Sequence, residues 1–271
     1  MLQFIAMKNN NSYSIIFVDI DWTILDHNKH DWDYPSLDIL NKLQKEGLLV
    51  YLCTARPYDS ILHTGIFKLL KPDGVICTNG GVAFINDKLL FANLIPEDIV
   101  RTIEKVANRH HLVLEISTSK GRHFTAKPNK YVKQYFSVYA EVVPEIRKYE
   151  NKDASAILLF APEKYDPILK KEFPKEMSLL RFDTCGVDVG YYTNTKGDGI
   201  KKVLKHLNIN KDNAIGIGDS YDDISMFKNV GLSIAMGNGS DEAKANADIV
   251  TSSIAESGLY KALKDIFKKK K

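Results

Sequence analysis

The chain has 271 residues, 44% of them hydrophobic and 26% charged, with a formal net charge of +3. That is the composition of a soluble globular protein with material for one large domain or two ordinary ones and a real core. The charge is too small to argue for nucleic acid, and much of it sits in the run Lys268-Lys269-Lys270-Lys271, which reads as a solvated end.

Cys53, Cys77 and Cys185 are odd in number and widely spaced, with no Cys-x-x-Cys. They point to a reducing compartment and offer no zinc motif. No run of apolar residues is long enough to span a bilayer, and Met1 to Ser12 lacks the basic start and apolar core of a signal peptide. A cytoplasmic protein without a membrane partner is expected.

Ser14-Ile15-Ile16-Phe17-Val18 is a short, charge-free, β-branched run, the pattern of a strand buried on both faces. It leads into Asp19-Ile20-Asp21-Trp22-Thr23. In open α/β sheets ligands bind outside the carboxyl ends of strands. Two carboxylates one residue apart repel unless something cationic compensates. A hard divalent ion such as Mg²⁺, which takes oxygen ligands and accompanies substrate phosphates, is the economical answer. A strand-end turn with Asp as a helix cap is the plainer alternative.

A polar stretch follows, then a helix opened by Pro35-Ser36, with Leu37, Leu40 and Leu43 on one face and Gly47 at its end. Leu48 to Cys53 is a second buried strand and stops at Thr54-Ala55-Arg56-Pro57. Another helix precedes Gly74-Val75-Ile76-Cys77 and Thr78-Asn79-Gly80-Gly81. Strand and helix alternating at this spacing predict right-handed crossovers and a parallel sheet. Val82 to Ile85 and Leu89 to Ala92 flank Asn86-Asp87-Lys88 as a small hairpin.

The texture then changes. Helices are expected at Pro96 to His110, Lys130 to Tyr139 and Glu163 to Lys171, and strands at Leu112 to Ser117, Ala154 to Phe160 and Met177 to Phe182. These pieces suggest an inserted second domain at 85–188. His110, His111 and His123 stand without partners at metal spacing and read as surface or packing residues. The first texture returns near Val187, with a helix from Lys196 to Leu207 and an apolar strand at Asn213 to Ile217 ending in Gly218-Asp219-Ser220-Tyr221-Asp222-Asp223. Strands at Leu232 to Ala235 and Asp248 to Thr251 and a helix from Glu256 to Phe267 finish the chain.

In a parallel sheet the polar ends of four apolar strands meet on one edge. They bring Asp19 and Asp21, Thr54 and Arg56, Asn79, and Asp219, Asp222 and Asp223, while Lys196 opens the helix before the fourth strand. Carboxylates with a hydroxyl, an amide and one ammonium suit a divalent metal plus a phosphate. A carboxylate can attack phosphorus to give an aspartyl-phosphate, with Lys196 and a metal neutralising the equatorial oxygens and Thr54 donating to one of them. Competing motifs fail: Gly216-Ile217-Gly218 meets Tyr221 where a dinucleotide fingerprint needs its third Gly. No nucleoside-triphosphate loop or Gly-x-Ser-x-Gly elbow is present either.

The ordered set Asp19-Ile20-Asp21-Trp22-Thr23, Thr54-Ala55-Arg56-Pro57, Thr78-Asn79-Gly80-Gly81, Lys196-Gly197 and Gly218-Asp219 to Asp223 resembles the haloacid dehalogenase superfamily of phosphohydrolases, in its Cof-like subfamily with a large α/β cap. Ala235-Met236-Gly237-Asn238 and Ala247-Asp248-Ile249-Val250-Thr251 resemble that subfamily's C-terminal pattern. The resemblance covers nearly the whole chain. It implies an α/β fold: a Rossmann-like, doubly wound parallel sheet core from 1–84 and 189–271, and an inserted α+β cap domain. It also implies Asp19 as nucleophile and Asp21 as general acid/base, with Thr54 and Lys196 on the phosphoryl group. Arg56, Asn79 and Asp222 complete the expected substrate site. Mg²⁺ would be bound by Asp19, the backbone carbonyl of Asp21 and Asp219, with Asp223 in support.

Two departures stand out. Trp22 occupies a position the family usually gives to Gly, and Asp222 replaces its usual Asn. The indole can stack on a sugar or base or pack under the cap. A carboxylate facing a phosphate adds repulsion of ~1 to 4 kcal/mol at ~4 Å, depending on screening. The resulting expectation is a Mg²⁺-dependent phosphatase of small phosphorylated metabolites, sugar phosphates foremost, as a monomer or small homo-oligomer. The inserted domain would act as a lid, with Tyr131, Tyr135 and Phe136 in its core. A phosphomutase, or a catalytically weak sugar-phosphate-binding or regulatory protein, is the alternative.

Overall fold

The computed structural model describes residues 13–139, 142–150, 153–191 and 194–268. Met1 to Ser12 and Lys269 to Lys271, read above for targeting and charge, lie outside the described residues.

Strand β1 (Ile15–Val18) has no exposed side chain because both of its faces are covered. Successive side chains of a strand point to opposite faces. Ile16 and Val18 therefore join one apolar cluster and Ile15 and Phe17 the other. After β1 the chain makes a two-stranded hairpin, β2 (Leu25–Asp26) and β3 (Asp31–Trp32), then α1 (Tyr34–Lys45), β4 (Leu49–Cys53), α2 (Tyr58–Thr64) and β5 (Gly74–Cys77). It continues through β6 (Val82–Ile85), β7 (Lys88–Ala92) and α3 (Glu97–Arg109) to β8 (Val113–Thr118), β9 (Gly121–Phe124), α4 (Lys130–Tyr139), β10 (Glu145–Ile146) and β11 (Ala156–Phe160). Next come α5 (Asp166–Glu172), β12 (Met177–Asp183), β13 (Gly186–Tyr191), α6 (Lys196–Leu207), β14 (Ala214–Gly218) and α7 (Asp223–Phe227). The last elements are β15 (Leu232–Ala235), α8 (Asp241–Ala245), β16 (Ile249–Val250) and α9 (Gly258–Ile266).

The large sheet runs β16-β15-β14-β1-β4-β5-β6-β7. It is parallel from β16 to β5 and antiparallel beyond. Leu37 and Leu40 of α1 and Leu259 and Leu263 of α9 cover the face carrying Ile16. Ile200 and Val203 of α6 with Met226 of α7 cover the face carrying Ile15. The chain leaves β1 toward β4 and β5 and returns on β1's other side at β14. That reversal opens a crevice at the carboxyl ends of β1 and β14, where open α/β sheets bind ligands.

The smaller sheet runs β10-β9-β8-β11-β13-β12. Helices α3 and α5 pack Val100, Ile103 and Leu169 against Leu114, Ile116, Ile157 and Val187 on one face. Alternation turns the opposite face of the same strands toward the large sheet's crevice. Glu115, Leu158, Asp188 and Leu180 lie in one row across it.

Four differences from the sequence reading have physical causes. The hairpin Val82–Ala92 pairs with β5, so residues 85–92 go with the large sheet rather than the inserted unit. At the other end β13 reaches Tyr191 in the small sheet, so a division after Ala92 and after Tyr191 leaves every ladder whole. Strand β9 is four residues of Gly-Arg-His-Phe, too short and polar to show alternation. The expected helix Glu163 to Lys171 begins as a short 3-10 turn at Glu163–Tyr165, with Pro167 opening α5 after it.

Cys53, Cys77 and Cys185 are buried and stand outside any disulfide. Among the described residues no helix is long and apolar enough to cross a membrane.

Candidate active site

The main chain fixes the first carboxylate at the crevice. The Asp19 N–H donates to the Ile217 carbonyl of β14 at 2.9 Å. Strand β14 then delivers Asp219, and Asp223 opens α7 fully buried, its Oδ2 accepting the backbone N–H groups of Asp219 and Ser220 at 2.9 Å each. Gly218 makes this possible, because a Cβ there would stand 2.2 Å from the Asp223 carboxyl carbon. One oxygen from each of Asp19, Asp219 and Asp223 lies within 4.8 Å of the others. Thr23 Oγ1 donates to Asp219 Oδ1 at 3.3 Å.

Lys196 is the first residue of α6, behind Thr195, whose side chain accepts the Asp198 N–H at 3.2 Å as an N-cap. Its ammonium stands 2.8 Å from Asp19, 2.6 Å from Asp223 and 3.2 Å from Asp222. Burial alone would lower its pKa. The carboxylates of Asp19, Asp222 and Asp223 override that and raise it well above the ordinary lysine value.

Charge does not balance here. Four carboxylates (Asp19, Asp219, Asp222, Asp223) surround one ammonium. Burial first, and then repulsion from Asp223 and Asp222, push Asp19 and Asp219 well above the usual carboxylate range despite Lys196. Asp223 is raised too, by burial and by Asp222. An oxygen-only donor set in excess of its own counter-charge fits a hard divalent cation such as Mg²⁺.

Asp21 sits in a different environment. Arg56 grips it as a fork, Nε to Oδ2 at 2.8 Å and Nη2 to Oδ1 at 2.7 Å. His27 Nε2 lies 2.5 Å from Oδ1. Burial works to raise this carboxyl, but Arg56 and then His27 outweigh it and hold it well below the usual range. Arg56 is itself steadied by Ser60, at 3.0 Å from Nη1. Thr54 Oγ1 accepts the Arg56 N–H at 3.2 Å, which leaves its hydroxyl proton to be donated elsewhere.

Trp22 has φ +58°, a left-handed conformation that bulky residues avoid and glycine adopts freely. Its indole stands 5.1 Å from the His27 ring and lines the cavity. Asn79 is also left-handed, at φ +52°. Its side chain lies near enough to Asp188 of β13 to favour that carboxylate's charged form, while its Oδ1 is buried without a hydrogen-bond partner.

The structure brings the nine sequence candidates together. Eight line a single cavity of about 380 Å³, and Asp223 lies behind Lys196 and Asp219. Asp222 turns its charge to Lys196 and accepts the Ser220 hydroxyl, so part of the expected repulsion is already compensated. Tyr135 packs on Phe136 and Phe160 in the small sheet's core, as expected, and also reaches the cavity. Sequence reasoning missed His27 and the cavity's far wall, where Ser117, Leu158, Leu180, Arg181 and Asp188 stand with Tyr135. His27 lies six residues from Asp21 across a hairpin, a spacing with no period to betray it.

A family model described as haloacid dehalogenase-like hydrolase matches residues 16–263. The "Putative phosphatase YkrA" of Bacillus subtilis is 28% identical over 254 residues, covering 93% of this chain and 97% of its own. Phosphoglycolate phosphatase 1 of Saccharolobus solfataricus is 23% identical, with 94% and 96% covered. The solved structure of BT4131, described as a HAD subclass IIB sugar phosphatase, superposes with a TM-score of 0.83 at 25% identity over 93% of this chain and 98% of that one. With its crevice built as described, the chain belongs to the haloacid dehalogenase-like hydrolases and is a phosphatase.

Proposed function

We propose that this enzyme is a Mg²⁺-dependent hydrolase of small phosphomonoesters, sugar phosphates foremost, acting through an aspartyl-phosphate on Asp19. One observation carries the reading. Asp19 stands in the cavity wall with Lys196 at 2.8 Å and the oxygens of Asp219 and Asp223 within 4.8 Å. A carboxylate is thereby held beside an ammonium that can neutralise phosphoryl charge and beside two further carboxylates able to share a divalent cation with it.

Asp19 would attack phosphorus, forming its Oδ–P bond as the bond to the leaving oxygen breaks. Asp21 would give that oxygen its proton, then take one from the water that cleaves the acyl-phosphate. Arg56 has two claims on it: it now holds Asp21 ionised, and turning it to the phosphate would let Asp21 carry a proton. Lys196 and the Thr54 hydroxyl would hold the equatorial oxygens. Mg²⁺ would be held by Asp19 and Asp219, with the Asp21 carbonyl and with Asp223 in support; when bound it supplies charge neutralisation to carboxylates and phosphate alike.

The test is phosphate release over a panel of phosphomonoesters. Turnover is expected with Mg²⁺, lost with EDTA and restored on adding Mg²⁺ back. Asp19→Asn should lose at least about 10³-fold in kcat, the order of a covalent and electrostatic contribution together. Wild-type-like turnover in that variant removes Asp19 as nucleophile.

A further inference from the structure

We propose that the inserted unit carries a second binding site, between α3 and the β9–β10 edge of its sheet, for a small oxyanion ligand of the diphosphate class. The inference does not depend on the phosphatase reading, because no residue of this site lines the active-site cavity.

A cavity of about 390 Å³ lies on the helix-bearing side of the small sheet. Helix α3 forms one wall with Arg101, Lys105 and Asn108, spaced three and four residues apart and so on one face. The other wall is Thr125 after β9 with Arg147 and Lys148 after β10. Four arginine and lysine side chains against the one lining carboxylate, Glu104, leave an excess equal to the whole chain's formal net charge of +3.

The two arginines are held in place. Arg101 pairs with Glu104 at 2.9 Å and Glu97 at 3.6 Å, and its guanidinium lies 5.0 Å from the Tyr149 ring centroid. Arg147 donates through Nη2 to the Gly121 carbonyl at 3.2 Å, and its ion pair with the exposed Glu145 is long, at 3.8 Å. Lys105 and Lys148 are exposed and have no ion-pair partner among the described residues.

His123 senses the field that results. It stands opposite Glu145 in the β9–β10 register, two residues before Thr125, and is stacked on Tyr149 with 6.3 Å between ring centroids. The imidazole is buried, with no hydrogen-bond partner at either ring nitrogen. Burial first, and then Arg147, hold it below the ordinary histidine value, and Arg147 outweighs Glu145. The positive charge at this end of the cavity is therefore not cancelled by its carboxylate neighbour.

Guanidinium forks match the paired oxygens of a phosphate, and ammonium groups add point charge. The Thr125 hydroxyl accepts the Leu114 N–H at 3.4 Å, which leaves its proton to donate, and the Asn108 amide offers two more donors. Cations on both walls suit two linked anionic groups better than one. Such a ligand would tie α3 to the sheet edge.

Pyrophosphate is the probe, in EDTA so that no divalent ion bridges it to the crevice carboxylates. Calorimetric titration of the full chain should show binding, and NMR should show the amides of Lys105, Asn108, Thr125 and Arg147 shifting as it saturates. Inorganic phosphate should bind at least about tenfold more weakly. Lys105→Glu/Lys148→Glu should weaken pyrophosphate by at least about tenfold and leave kcat/KM for phosphate release within about twofold of wild type. Lys170→Glu/Lys171→Glu on α5 makes the same change in net charge outside the cavity and should weaken binding less than about twofold. All four lysines are exposed, and circular dichroism on each variant checks that the fold is kept.

Absence of pyrophosphate binding overturns the proposal, as do amide shifts confined to the crevice around Lys196. Equal losses in the two double variants would reduce the effect to net charge and overturn it too. Tight binding of single-stranded DNA or heparin, with pyrophosphate ignored, would replace it with a surface for a macromolecule.

Discussion

The two walls of the cavity are built by different rules. On the large sheet's edge each acidic side chain has a fixed partner: Asp223 two backbone N–H groups, Asp19 and Asp222 the Lys196 ammonium, Asp21 the Arg56 fork and Asp219 the Thr23 hydroxyl. That wall is dense in charge and falls at a topological reversal. On the small sheet's face, Leu158, Leu180 and Asp188 are placed by strand register, and Arg181 is the one cation named there, already bound by Asp166. The lesson is that topology fixes the groups that handle the phosphoryl, whereas register alone fixes the groups that meet its alcohol.

If that contrast is right, removing the central cation of each wall should have unequal effects. Lys196→Met takes the ammonium from its three ion-pair partners, Asp19, Asp222 and Asp223, and breaking a buried ion pair from one side costs about 3–5 kcal/mol. Urea unfolding at pH 7 in the absence of divalent ions should show that loss. Arg181→Met breaks a partly exposed pair with Asp166 and should cost about 1 kcal/mol. Equal losses would erase the distinction between the walls.

The same contrast explains what could be read from the residues in advance. Asp19, Thr54, Asn79 and Asp219 follow apolar strands directly, so a parallel sheet necessarily gathers them, and Lys196 opens a helix with a capping Thr before it. The far wall has no such marker. Leu158, Leu180 and Asp188 come from three strands that meet only through antiparallel register, and β13 is broken by Gly186 and Gly190, so its alternation is weak. His27 was hidden for a similar reason: a two-residue hairpin folds it back on Asp21, and so short a pairing leaves no pattern.

A pH series on Asp188→Asn sharpens the picture of the far wall. Its carboxyl is raised from an ordinary 3.8 to about 7 by burial and by Asp222. The folded protein therefore holds this proton more tightly than the unfolded chain does. The stabilising contribution is complete below about pH 4 and is lost as pH rises through about 7. Asp188→Asn cannot titrate, so its stability relative to wild type should climb across that window and level off above it. Allowing for the residue's partial exposure, the gain is about 2 kcal/mol at pH 8. A difference that stays flat between pH 4 and pH 8 would show that Asp188 ionises as freely in the fold as outside it.

The smallest expected effect lies where the large sheet's edge meets the mouth of the cavity. Trp22 holds φ +58° in the turn that aims Asp21, a conformation costing about 1–2 kcal/mol for a residue with a Cβ. Its indole offsets part of that cost through contact with the His27 ring and the cavity. Trp22→Ala loses the indole and keeps the strain; Trp22→Gly loses the indole and relieves it. Glycine also releases the unfolded chain, which takes back up to about 1 kcal/mol. The balance leaves Trp22→Gly more stable than Trp22→Ala by about 0.5–1 kcal/mol in thermal unfolding, the reverse of the order at an ordinary helical or extended position. Alanine equal to or better than glycine would mean that this turn does not require the left-handed backbone, and that the sheet edge controls Asp21 less tightly than its hydrogen bonds suggest.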